Sequence, residues 1–140
     1  YTPSENSYGV DSFTYKISTS NLESNLTTVE LNIKPNLVAV PDEYLMFINR
    51  NLDVSFSKGL LVNDINPSGL PVNVVLVSNT AFGELSLKQN GAFEYKPNQD
   101  FYGTESFSYK LSYGIYESAP AQVEILVLPL LKVYLPLVLR

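Results

Sequence analysis

With 140 residues, 45% of them hydrophobic and 16% charged, the chain has enough apolar material for a folded domain and too little charge for a disordered one. A net charge of −5 with no basic run argues against a phosphate backbone as ligand, so nucleic acid is not an expected partner. The absence of Cys and His removes disulfides, thiolate ligands, Cys nucleophiles, the usual general base and the commonest zinc ligand.

No uninterrupted apolar stretch reaches the roughly 18 residues that a membrane-spanning helix needs. The first residue is Tyr1 and not Met, which reads as a processed product or a piece of a longer chain. In residues 1–35, Phe13, Tyr15 and Ile17 alternate with polar neighbours, and Val29, Leu31 and Ile33 do the same. That is the period of two of half-buried strands.

Laying residues 1–35 on residues 95–129 without a gap gives fourteen identities, among them Tyr1, Pro3, Tyr8, Gly9, Phe13, Tyr15, Lys16, Glu23, Ser24, Val29 and Pro35. Chance does not produce such a match. Residues 36–129 form one complete unit, and residues 1–35 are the closing third of a preceding one.

Within the complete unit, strands are expected at Tyr44 to Ile48, Leu52 to Phe56 and Val72 to Val77. Glu84 to Lys88 and Ala92 to Tyr95 flank Gln89-Asn90-Gly91, where Asn-Gly suits the positive φ values of a tight hairpin. Ser106 to Leu111 places Phe107, Tyr109 and Leu111 on one face, and Val123, Ile125 and Val127 alternate in the last strand. About seven short strands and no helical stretch describe a two-sheet sandwich. Phe93, Tyr95, Phe107, Tyr109, Val123 and Ile125 are the expected core.

Residues 130–140 lie outside the repeat and form an apolar strand, with Leu131, Val133, Leu135, Leu137 and Leu139 on one face. Pro136 on the other face removes one donor and suits an edge or a bulge. Covering five aliphatic side chains is worth on the order of 7–15 kcal/mol before entropy. The segment reads as a sorting or anchoring signal, a strand folded back on its own chain, or a strand donated to a neighbour.

Ala39-Val40-Pro41-Asp42-Glu43-Tyr44, Gly59-Leu60-Leu61-Val62-Asn63-Asp64, Phe82-Gly83-Glu84-Leu85 and the run from Gly91 to Pro97 follow one another in a specific order. Together with Phe101 to Tyr109 they resemble bacterial Ig-like, cadherin-like tandem repeats of large secreted and cell-surface proteins. The resemblance implies an all-β, Ig-like β-sandwich serving as an extracellular spacer, adhesive or stalk unit.

In many such repeats the Asn-Asp turn leads into a calcium loop. Here the run from Asp64 keeps one carboxylate, with Asn66, Ser68 and Leu70 at the later positions. Calcium takes six to eight oxygens, so Asp64 and Asn66 are a weak calcium candidate and an ordinary turn is favoured. No cofactor is expected.

Asp42-Glu43 and Asp11 or Glu105 are the remaining acidic features that could carry chemistry. A paired-carboxylate glycosidase needs no His, but strand-edge acids are usually solvated and nothing places two across a cleft. No catalytic residue is assigned. The tyrosines suit a carbohydrate-binding face, or more simply a core. Asn25-Leu26-Thr27 matches a glycosylation pattern of only three residues.

These observations suggest a non-catalytic structural subunit of an extracellular filament or surface appendage. Its partners would be copies of itself, joined head to tail by strand exchange. The interface would be Phe13, Tyr15, Ile17, Val29, Leu31 and Ile33 on one side and the alternating aliphatics of residues 131–139 on the other. The alternative is a tandem-repeat adhesin fragment that binds carbohydrate or protein through its loops.

Overall fold

The computed structural model describes residues 1–130. Two strands, β1 (Gly9–Tyr15) and β2 (Thr27–Ile33), form an antiparallel pair on their own. The rest builds two facing sheets. One carries β3 (Asp42–Phe47), β10 (Ala121–Leu128), β8 (Gly103–Tyr113) and β5 (Asn73–Ser78) in that order, with the short β9 (Tyr116–Glu117) beside β8. The other carries β4 (Leu52–Val54), β7 (Phe93–Pro97) and β6 (Gly83–Leu87). The first and last strands of this unit, β3 and β10, pair in parallel from Asp42↔Val123 to Phe47↔Leu128.

The alternation in the sequence explains the core. Phe107, Tyr109 and Leu111 from β8 and Val123, Ile125 and Val127 from β10 are fully buried and form one core cluster with Phe93 and Tyr95 of β7. Phe93 meets Phe107 edge to face with ring centroids 5.5 Å apart, a geometry aromatic quadrupoles favour. Each such side chain contributes about 1.5–3 kcal/mol by leaving water. Polar partners on the same strands, such as Gln122 and Glu124, face out.

Three local features differ from the strand pattern read in the sequence. The strand expected from Leu52 to Phe56 stops at Val54, because two 3-10 turns, Phe56–Lys58 and Leu60–Val62, follow directly. They exist because Leu60 is drawn into the core and its N–H bonds to the Gly91 carbonyl at 3.1 Å. At the Asn-Gly hairpin only Gly91 takes a positive φ, 81°. Its N–H closes a turn onto the Lys88 carbonyl at 3.0 Å, so the loop is a turn followed by a left-handed glycine instead of a two-residue turn. Finally, β8 runs on to Tyr113 and turns at Gly114 into β9.

The duplication extends to the hydrogen-bond register. Phe13 faces Val29 and Gly9 faces Ile33 in β1–β2. Phe107 faces Val123 and Gly103 faces Val127 in the complete unit. The two hairpins are therefore the same object twice.

They also touch. The Tyr8 ring meets Tyr113 edge-on at 6.1 Å, Ser68 Oγ donates to the Asn6 carbonyl at 2.8 Å, and the Tyr116 hydroxyl donates to Asn32 Oδ1 at 3.3 Å.

Candidate functional site

The two hairpins match in sequence and register but not in environment. Phe107, Tyr109 and Leu111 are 1%, 0% and 0% exposed, whereas Phe13, Tyr15 and Ile17 are 47%, 46% and 65% exposed. Val29, Leu31 and Ile33 are half-buried. β8 and β10 lie under the β4-β7-β6 sheet and between β3 and β5; β1 and β2 have no such cover among the described residues. The β1–β2 pair thus keeps an uncovered apolar face among the described residues. Leu131, Val133, Leu135, Leu137 and Leu139, the other half of the expected interface, lie outside the described residues.

The polar framework of the hairpin is duplicated as well. Lys16 pairs with Glu23 at 2.7 Å and Lys110 with Glu117 at 2.7 Å. Ser24 Oγ accepts the Ile17 N–H at 2.9 Å, and Ser118 Oγ accepts the Leu111 N–H at 2.9 Å. Each serine thereby satisfies a backbone donor where the ladder is interrupted.

One acid departs from this symmetry. Glu105 is buried, and its Oε2 accepts the N–H groups of Ala81, at 3.0 Å, and Phe82, while Oε1 accepts that of Ser106 at 2.8 Å. It thus clamps the turn between β5 and β6. Reading it as a solvated strand-edge acid is corrected here, because three donors and burial by the opposite sheet only become visible in the fold.

Asp11, its counterpart, is exposed. Its Oδ1 accepts the Ser12 N–H at 2.8 Å, and its Oδ2 accepts the hydroxyl of Tyr1. That hydroxyl and the Ser12 N–H lower the Asp11 pKa, and the same contact raises that of Tyr1. Tyr95, at the Tyr1 position of the complete unit, instead donates to the Phe82 carbonyl at 3.1 Å. Burial, with Glu105 beside it, pushes its pKa up to about 12.

A second cluster sits where the segment leading into β3 meets the loop after Leu60–Val62. The Tyr109 hydroxyl lies within hydrogen-bonding distance of four oxygens: Asp64 Oδ1, the Val40 carbonyl, Asp42 Oδ2 and the Leu60 carbonyl. Asp64 Oδ1 also accepts the Val40 N–H at 2.7 Å, while Asp64 Oδ2 is buried without a partner. Burial raises the Asp64 pKa against these hydrogen bonds. Burial also pushes Asp42 up to about 6, the Tyr109 hydrogen bond opposing and the Asp64 charge adding. Sequence reasoning paired Asp42 with Glu43, its neighbour in the chain. Asp42 and Asp64 converge only because Tyr109, 67 and 45 residues away from them, is anchored between them.

Asn66 does not join this cluster. Its Nδ2 donates to the Leu70 carbonyl at 2.8 Å and its Oδ1 accepts the Leu70 N–H at 3.1 Å, so both amide atoms close their own turn. Among the described residues no group of three or more His, Cys, Asp or Glu side chains could hold a metal ion.

Glu43 and Glu124 are registered neighbours on β3 and β10, but both are exposed on a sheet face. At the far end of the sandwich Phe82 stacks on Phe101, centroids 5.0 Å apart and planes 11° apart, beside exposed Tyr102.

A search of curated proteins finds no match. Similar solved structures include three endo-fucoidan hydrolases from glycoside hydrolase family 107. A variant form of MfFcnA4 is 15% identical, covering 92% of this chain and 20% of that chain, with a TM-score of 0.46. MfFcnA4 itself is 14% identical over 92% and 20%, TM-score 0.43, and MfFcnA9 is 14% identical over 90% and 23%, TM-score 0.42. This chain therefore spans about a fifth of the length of those enzymes, and likeness at this level bears on neither activity nor substrate. A family profile for the bacterial cadherin-like domain matches residues 38–129, the span of the complete sandwich. The chain belongs to the bacterial cadherin-like domain family.

Proposed function

We propose that the chain is a non-catalytic, load-bearing repeat module of an extracellular rod or surface appendage. The observation that carries this reading is the parallel β3–β10 pair. The first and last strands of the unit are hydrogen-bonded neighbours, so tension along the chain loads the whole ladder from Asp42 to Phe47 in shear. The bonds must then fail together and not one by one. Family membership supports the extracellular setting, and the duplicated hairpin supports a place in a series of units.

Single-molecule pulling tests it, since the rate of forced unfolding reports the barrier directly. The chain has no Cys, so attachment points are unique. Handles at Asn36→Cys and Leu130→Cys load the strands in shear; handles at Asn36→Cys and Lys88→Cys peel the sheet from one end. Markedly higher unfolding force in the first geometry is expected. Equal forces would remove the load-bearing reading.

Strand exchange between copies into a head-to-tail filament is a finer form of the same function, favoured by the match between the open hairpin face and the alternating Leu131 to Leu139. Deleting residues 130–140 decides it. Loss of assembly with the central sandwich still folded supports exchange, and unchanged assembly excludes it.

A further inference from the structure

We propose that residues 131–139 are stored on the outer face of β3 and β10 of their own sandwich until a neighbouring copy takes them, so that storage and donation compete. The inference rests on the strand-exchange reading and names what regulates the donated strand.

The outer face of the sandwich has an apolar end. Leu45 and Phe47 on β3 stand beside Leu126 and Leu128 on β10. Leu45, Phe47 and Leu126 are exposed, and so is Leu130 just beyond β10. Two shallow grooves follow one another along this strand pair. Phe47, Leu128, Pro129 and Leu130 line the first; Leu45, Leu126 and Thr104 line the second together with Glu43 and Glu124.

The internal copy shows that the fold does not require these leucines. Leu126 and Leu128 correspond to Asn32 and Lys34, while the inward positions stay apolar, Ile125 and Val127 matching Leu31 and Ile33. The same two places thus take polar side chains in one copy and leucine in the other. An exposed apolar patch confined to one copy marks a surface that something covers.

The occupant is the segment that leaves from this surface. Leu130 already lines the first groove, and Leu131, Val133, Leu135, Leu137 and Leu139 continue with an aliphatic side chain at every second place. At about 3.3 Å per residue, the way back from Leu128 to Glu124 is about 13 Å, which five extended residues span. The charges agree as well. Lys132 and Arg140 are the only charged side chains among residues 131–140, and those lining the second groove are Glu43 and Glu124. A second copy docking face to face would bring these glutamates against their own counterparts, and like charges disfavour that.

The test uses the absence of Cys from the chain. Leu45→Cys puts a single thiol on the face, and its rate of reaction with a maleimide is measured in the full chain and in a chain lacking residues 131–140, both too dilute to assemble. Labelling is expected to be on the order of 10-fold slower in the full chain. Equal rates overturn the proposal. Protection that appears only as the protein is concentrated overturns it too, because a second copy is then the cover.

Leu126→Asn with Leu128→Lys gives the face the residues of the preceding copy, which that strand already accommodates. In this background Leu45→Cys should label as fast as in the truncated chain. A neighbour can take only the free fraction of the stored strand, so the Leu126→Asn, Leu128→Lys chain without the added Cys should assemble faster by about the same factor. An unchanged assembly rate overturns the competition. If neither chain assembles while truncation still speeds labelling, strand exchange fails and the stored contact stands.

Discussion

The Tyr109 hydroxyl oxygen lies 2.8 Å from Oδ1 of Asp64, at the centre of oxygens that share its single hydrogen. Tyr15 occupies the same register position in β1 and is half exposed. Removing the hydroxyl therefore has different consequences at the two sites. Tyr109→Phe strands buried acceptors and should cost about 1–3 kcal/mol, whereas Tyr15→Phe should stay within about 0.5 kcal/mol. Urea denaturation of both variants checks the contrast.

The carboxyl of Asp42 gives the fold a pH dependence. Burial holds its folded pKa at about 6, above the ordinary 3.8. A raised folded pKa means that the native state binds the proton more tightly. The resulting stability is complete below about pH 4 and is lost as pH rises through 6. Allowing for solvent around a partly buried group, the loss is about 1–2 kcal/mol. Asp42→Asn should remove this contribution, so variant stability minus wild-type stability should rise by that amount between pH 4 and 7.5. A flat difference in paired denaturation curves would contradict the assignment.

Glu105 and Asp11 are matched in sequence but not in burial. Glu105→Ala leaves the Ala81, Phe82 and Ser106 N–H groups without their acceptor and should cost about 1–3 kcal/mol. Asp11→Ala should change stability by no more than about 0.5 kcal/mol, as usual for an exposed site. Thermal melts of the two variants measure the difference.

Gly59 has no room for a side chain. A Cβ there would run into the carbonyl oxygen of Gly91, the group that holds the Leu60 N–H. Gly59→Ala should therefore cost about 1–3 kcal/mol, the usual range for overpacking. Differential scanning calorimetry should show the loss with the all-β circular dichroism spectrum retained.

Calcium should matter little. The Asp64 Oδ1 is taken by the Val40 N–H and Tyr109, and Asn66 spends both amide atoms on Leu70. A ligand stabilises only by binding the native state. Unfolding free energy in millimolar calcium and in chelator should agree within about 0.5 kcal/mol. A larger gain with calcium would show that the loop opens to receive it.

The duplication, the all-β class and the core of Phe93, Tyr95, Phe107, Tyr109, Val123 and Ile125 were legible in the sequence. A strand alternates its faces by backbone geometry alone, so its apolar set is written locally. The repeated pattern of Phe13 with Val29 and Phe107 with Val123 shows how completely that local code also sets register. It carries no information about what lies above the face. Phe13 and Phe107 are the same residue type at matching positions of β1 and β8, and only the presence of the β4-β7-β6 sheet makes one of them core. The 3-10 turns around Gly59, the Glu105 clamp and the meeting of Asp42 with Asp64 were likewise decided by tertiary structure. Each depends on groups brought together across the sandwich, and such contacts have no period along the chain.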